Sequence, residues 1–169
     1  MIHPDIRLSH SSSTNFCAKQ LWYKKLGGAE FRYNFYSGAG TMVDAGYEAG
    51  LKNLMTGVEA CNIRKSMEKS LSDMESSMSY EDFSKLAGTL DEHVSAVEGY
   101  MSWINYKPLE TQYYFNIIFD GHTRVTTGYM DIVAERQEKP LIIDVKRQSK
   151  PAKKAKKEWV LQGALYALV

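Results

Sequence analysis

The apolar residues of this chain change period at Pro108, and that change restricts the fold more than any other feature. Before it, Phe83, Leu86, Leu90, Val94, Val97, Met101 and Ile104 recur at alternating steps of three and four, one continuous stripe on a long helix starting near Glu81. After it, LETQYYFNIIF, HTRVTTGYMDIVAE and PLIIDVKR read as strands. Asp120-Gly121 between the first two marks a hairpin, because both residues tolerate positive φ. Helices first, a β-meander second and a closing helix over WVLQGALYALV predict an α+β sandwich with its sheet in the second half.

Within the helical region, about residues 8–106, two further segments stand out. Residues 8–26 (LSHSSSTNFCAKQLWYKKL) open on Ser caps and stop at Gly27-Gly28, which predicts a first helix. Residues 41–56 (TMVDAGYEAGLKNLMT) predict another in spite of Gly46 and Gly50, whose small size suggests that another backbone packs closely, while FRYNFYSGAG before it reads as irregular. Eight acidic against four basic residues between 62 and 98 read as the solvated face of a helical hairpin. The sheet and motif region covers about 107–169. One domain is expected from 169 residues that are 44% hydrophobic. The apolar pattern stops at Val169 without a cap, so either the natural chain continues or a second copy or a protein partner covers that helix end.

Composition narrows the function classes. A net charge of +1 gives no whole-molecule field toward nucleic acid or membrane, so any charge signal is local. No run approaches the roughly 20 apolar residues of a membrane span, and MIHPDIRLSHSSS has no signal core, so a soluble, cytoplasmic protein without a membrane partner is expected. Cys17, Cys61 and the four histidines lack the spacings of a zinc site, and both cysteines read as small apolar residues.

The chemistry-bearing residues are in the meander. Asp131 (GYMDIVAE) and Asp144 (LIIDVKR) lie on adjacent strands and can face each other, and Lys146 projects on the side of Asp144 because strand side chains alternate. An aspartate within LIIDV is costly to bury unless paired, hydrogen-bonded or metal-bound, and a structural ion pair with Lys146 is the plain alternative. Gln162 and Tyr166 share one face of the closing helix, or else form an ordinary helix surface; Glu110 opens the first strand as a site acid or an edge charge; Asp44 and Glu48 share a helix face or simply meet solvent.

In order, the Ser-rich first helix, GTMVD, Glu110, GYMD, IIDVK and QGALY resemble the RecB-like and λ-exonuclease-like branch of the PD-(D/E)xK nuclease superfamily. There the corresponding segments are a Ser-rich helix, a GTxxH helix, a strand glutamate, a GxxD strand, a DxK strand and a QxxxY helix. The resemblance covers nearly the whole chain. It implies a restriction-endonuclease-like core, a mostly antiparallel sheet flanked by helices, with a helical insertion. It implies a Mg²⁺ or Mn²⁺ held by Asp131, Asp144, Glu110, Asp44 and Val145, a catalytic Lys146, and Gln162 and Tyr166 on the motif helix beside the site. Asp44 stands where GTxxH has His, and relatives continue past QxxxY into a further strand.

The physical chemistry agrees with that assignment. Phosphodiester hydrolysis needs neutralisation of charge on the scissile phosphate and hydroxide near neutral pH, which an oxygen-coordinated divalent cation supplies, and a nearby lysine adds electrostatic stabilisation. From Lys146 to Lys157 there are seven basic residues and no acidic one; Lys150, Lys153, Lys154, Lys156 and Lys157 would hold DNA phosphates, or form a merely solubilising loop. Phe31, Tyr33, Phe35 and Tyr36 could stack on unpaired bases, although such a cluster is more often core. The expected function is a metal-dependent DNA nuclease, an exonuclease of recombination, repair or replication. The alternative is a non-catalytic nucleic-acid- or partner-binding module that keeps the nuclease fold.

Overall fold

A computed structural model describes residues 8–9, 32–57, 61–118 and 125–145, with Lys154, Val160, Gly163, Ala164, Tyr166 and Ala167 near the end of the chain. The architecture is α+β, as the change of period at Pro108 predicts. These residues fall into two compact units. One holds residues 32–111 and 134–141, and the other holds residues 8–9, 112–133 and those from 142 onward.

In the first unit, α1 (Phe35–Thr56) begins at Phe35 rather than near Thr41. From Phe35 on, the stretch expected to be irregular is helical because Asn34 caps it: its Oδ1 accepts the Ser37 N–H at 2.9 Å, and Ser37 Oγ accepts the Asn34 N–H at 3.0 Å. Ser37 thus takes the reciprocal part that Glu or Gln plays in most capping boxes. The helix ends at Gly57, whose φ of 68° is the left-handed conformation that glycine adopts without a steric penalty. Next come α2 (Ile63–Met74), capped by Asn62, and a 3-10 turn at Glu75–Ser77. Two further helices follow, α3 (Tyr80–Gly88) and α4 (Leu90–Trp103).

The single long helix expected from Glu81 is therefore two. Gly88 is a weak helix former, and Thr89 Oγ1 takes the Leu86 carbonyl at 2.9 Å, competing with the helical ladder. The apolar stripe survives the break, since Leu86, Val94 and Val97 remain buried with Met42, Met67 and Leu71, and Phe83, Leu90 and Met101 pack against them. What fills the room left by the α1 glycines is thioether rather than backbone. A Cβ at Gly46 would stand 2.7 Å from Met67 Sδ, and one at Gly50 would stand 2.8 Å from Met101 Sδ. The acidic residues of this region are mostly exposed, and some pair on the surface, as in Arg64–Asp91 at 2.8 Å and Lys69–Asp73 at 2.6 Å, so the solvated-face reading holds. Cys61 carries a free thiol.

The sheet is built on β3 (Val125–Arg136), which pairs with β2 (Lys107–Ile118) and with β4 (Lys139–Ile143). Also joined to it is β1 (Leu8–Ser9), which runs parallel with Leu8 opposite Thr126 and Ser9 opposite Thr127. Leu8 and Ser9, expected to open a helix, are strand, and the rest of that segment lies outside the described residues. The polar turn between β3 and β4 is Gln137-Glu138, both at positive φ (53° and 61°), the backbone of a two-residue primed turn formed without glycine. No helix among the described residues is long and apolar enough to cross a membrane.

Within β2, Gln112 has φ 53°. A left-handed residue inside a strand inserts one extra position, and the burial phase shifts accordingly, from even at Pro108 to odd at Phe115 and Ile117. This bulge lies where the chain passes from the first unit to the second.

Candidate active site on the central strand

Two contacts fix how β2 lies against β3. The rings of Tyr114 and Tyr129 sit 5.2 Å apart, and a Cβ on Gly128 would meet Phe115 Cζ at 2.6 Å. Tyr114 is therefore opposite Tyr129 and Phe115 opposite Gly128, and alternation assigns the faces. One face carries Phe115, Ile117, Gly128 and Met130, and the other carries Tyr114, Tyr129 and Asp131. Extended two more positions, the same register brings the bulge at Gln112 to the level of Asp131, in keeping with the frequency of bulges beside functional side chains.

Asp131 is half-buried, and its Oδ2 accepts the N–H of Val145 at 2.8 Å. That N–H belongs to the peptide joining Asp144 to Val145, so the GYMD and IIDVK segments are tied together at their two aspartates. A carboxylate accepting a backbone amide makes one of the stronger hydrogen bonds available to a protein. The tie also accounts for a departure from expectation. The IIDVK segment reads as strand in the sequence, yet β4 ends at Ile143, because the Val145 amide bonds to a side chain instead of a ladder carbonyl. Lys146 and Gln162 lie outside the described residues.

Tyr166 is buried, and its hydroxyl donates to the Tyr129 carbonyl at 3.0 Å. Its ring meets Phe115 edge-on, with centroids 5.8 Å apart. The Tyr of the QxxxY-like segment thus anchors that segment to β3 two residues before Asp131. Its hydroxyl is engaged by backbone, which makes Tyr166 a positioning residue. Phe115 and Gly128 complete this support and do not stand out in the sequence as site residues. Their signal is present all the same, since a glycine inside a strand indicates that something lies close over the backbone, and here it is the Phe115 ring. Tyr166→Phe should cost about 1 kcal/mol by leaving the Tyr129 carbonyl without its donor. Chemical denaturation checks this, with an unchanged midpoint counting against the anchor.

The remaining candidate acids belong to the other unit. Glu110 is exposed on β2 before the bulge. Asp44 is exposed on α1, beside a tyrosine cluster in which Tyr47 and Tyr100 pack edge-on at 5.0 Å and the Tyr100 and Tyr106 hydroxyls are 3.0 Å apart. Burial first, then Tyr100, then Asp44 raise the Tyr47 phenol above its ordinary pKa. Burial likewise raises Tyr106, aided by its hydrogen bond to Tyr100. Glu48 pairs with Lys52 at 2.6 Å. Among the described residues, no group of three or more His, Cys, Asp or Glu is placed to hold a metal ion.

Of the expected DNA contacts, Lys154 is exposed, while Lys150, Lys153, Lys156 and Lys157 lie outside the described residues. The aromatic stretch near residue 33 is largely structural. Tyr33 and Phe35 pack against the helical core, Lys85 sits 4.5 Å over the Phe35 ring, and Tyr36 alone of the described three is exposed. Phe31 is outside the described residues. Comparison of the chain with family models, curated proteins and solved structures finds no match.

Proposed function

We propose that this protein is a metal-dependent DNA nuclease, acting from strand ends in recombination, repair or replication, on a restriction-endonuclease-like core. The observation that carries the reading is the bond from the Val145 amide to Asp131, which brings the peptide that follows Asp144 onto the Asp131 carboxylate. One oxygen of Asp131 is engaged by that amide. Asp144 is the neighbouring hard oxygen donor, and the Val145 carbonyl is a further one. Oxygen donors suit Mg²⁺ or Mn²⁺, and two carboxylates are enough, because Mg²⁺ keeps several waters and draws further ligands from substrate phosphate.

The cation, when bound, polarises the phosphate and lowers the pKa of a coordinated water. The chain's own residues do the rest. Asp131 is oriented by the Val145 amide, Tyr166 holds the strand that carries it, and Lys146, one residue beyond Val145, would stabilise charge developing on the phosphate. The basic run that starts at Lys146 supplies the attraction for a polyanion.

The direct test is incubation of end-labelled linear, circular, single- and double-stranded DNA with Mn²⁺ and with EDTA. The reading expects Mn²⁺-dependent shortening of linear substrate. Cleavage of closed circles would replace the end-directed mode by an endonuclease.

A second reading, a binding module on the same fold, is favoured by Asp44 standing where the GTxxH helix has His. It is supported if DNA binds and no substrate is cut. Either way, replacing Lys150, Lys153, Lys154, Lys156 and Lys157 by Gln should weaken binding to all sequences alike. It should also flatten the dependence of log K on log salt by roughly 0.7 to 0.9 for each phosphate that is no longer neutralised. A titration series at several salt concentrations reads this out, and an unchanged slope would remove the run from the DNA path.

A further inference from the structure

Resting on the nuclease reading, we propose that Tyr114 and Tyr129 form a stacking platform for an unpaired nucleobase, which makes single-stranded or frayed-end DNA the substrate class of this site. The two rings lean on each other at 5.2 Å with an interplanar angle of 54°, yet Tyr114 is 41% exposed and Tyr129 is 56% exposed. Two large, exposed aromatic side chains in contact, one on β2 and one on β3, are not accounted for by the core of this unit, in which Phe115, Met130 and Tyr166 are buried.

Their position gives them a use. Tyr129 and Asp131 are two positions apart on the same face of β3, so their side chains leave the strand about 7 Å apart. A nucleotide whose phosphate approaches the Asp131–Asp144 pair carries its base at a comparable distance. A tyrosine face accepts any base, and its hydroxyl keeps the empty platform compatible with water. The platform is also braced from beneath, since the Tyr129 carbonyl is held by the buried Tyr166 hydroxyl at 3.0 Å. Bases inside a duplex present edges rather than faces, so a platform of this kind selects ends and single strands.

The test is a binding experiment with Ca²⁺ in place of Mn²⁺, using a short oligonucleotide that carries 2-aminopurine and a matched one with an abasic site at the same position. Binding should quench the 2-aminopurine emission. Removing the base should cost the unaltered protein about 5- to 150-fold in affinity, the worth of one base–aromatic stack. Tyr129→Leu should show the same loss with the normal oligonucleotide and little further loss with the abasic one, while Tyr129→Phe should bind as the parent does. If Tyr129→Leu fails to fold by circular dichroism, Tyr114→Leu carries the same comparison. Equal affinity of parent and Leu variants, or equal losses with normal and abasic oligonucleotides, would overturn the platform. Failure of Mn²⁺-dependent cleavage with the quench intact would instead remove the nuclease reading and leave the platform standing.

Discussion

Asp131→Asn should lower Mn²⁺-dependent cleavage by at least about 10²-fold, the scale of losing one preorganised charge at a phosphoryl-transfer site, while the protein stays folded. Asparagine keeps a carbonyl oxygen where Oδ2 accepts the Val145 amide at 2.8 Å, so the tie between the two aspartate segments is weakened but not severed. Asp131→Ala makes the contrast. It removes the acceptor altogether, orphans a half-buried amide, and should destabilise by about 1–3 kcal/mol in addition to ending cleavage. Asp144→Asn is expected to match Asp131→Asn in activity. Single-turnover assays with and without EDTA, run beside thermal melts, separate loss of chemistry from loss of fold. Full activity in both Asn variants would sink the metal mechanism.

The second large effect falls on stability. Phe115 is buried, presses on the backbone of Gly128 and meets the edge of Tyr166. Phe115→Ala should cost about 3–5 kcal/mol through reduced burial and the cavity left behind. For a chain of this size that corresponds to a fall of roughly 6–20 °C in the thermal midpoint. Gly128→Ala attacks the same packing from the other side, since its methyl would stand 2.6 Å from Phe115 Cζ, and should cost about 1–3 kcal/mol. Because the two residues press on each other, the double variant should be less destabilised than the two separate effects combined. Scanning calorimetry decides it. A Gly128→Ala protein as stable as the parent would show that the ring has no fixed seat there.

How much of the fold and the site is legible in the sequence depends on whether the cue is periodic or local. The change at Pro108 sets the α+β order because it repeats over many residues. The meander places the GYMD and IIDVK segments side by side, and the Val145 amide bonds to Asp131. The details that depend on a single hydrogen bond are not legible. Ser37 in place of Glu hides the start of α1, Thr89 Oγ1 breaks a helix whose apolar stripe runs on unbroken, and the Val145 amide ends β4 before Asp144. The bulge at Gln112 leaves only a slip of phase between Pro108 and Phe115.

The notches on α1 have a chemical consequence. Gly46 and Gly50 hold the thioethers of Met67 and Met101 at distances that leave no space for a carbon, and Met67 has no solvent exposure. While the helices stay closed, the Met67 side chain offers peroxide no exposed surface. Each opening of the helical unit is therefore a chance for irreversible marking in the absence of a reductase. The proportion of molecules carrying sulfoxide at Met67 becomes a lasting record of how often these helices have come apart.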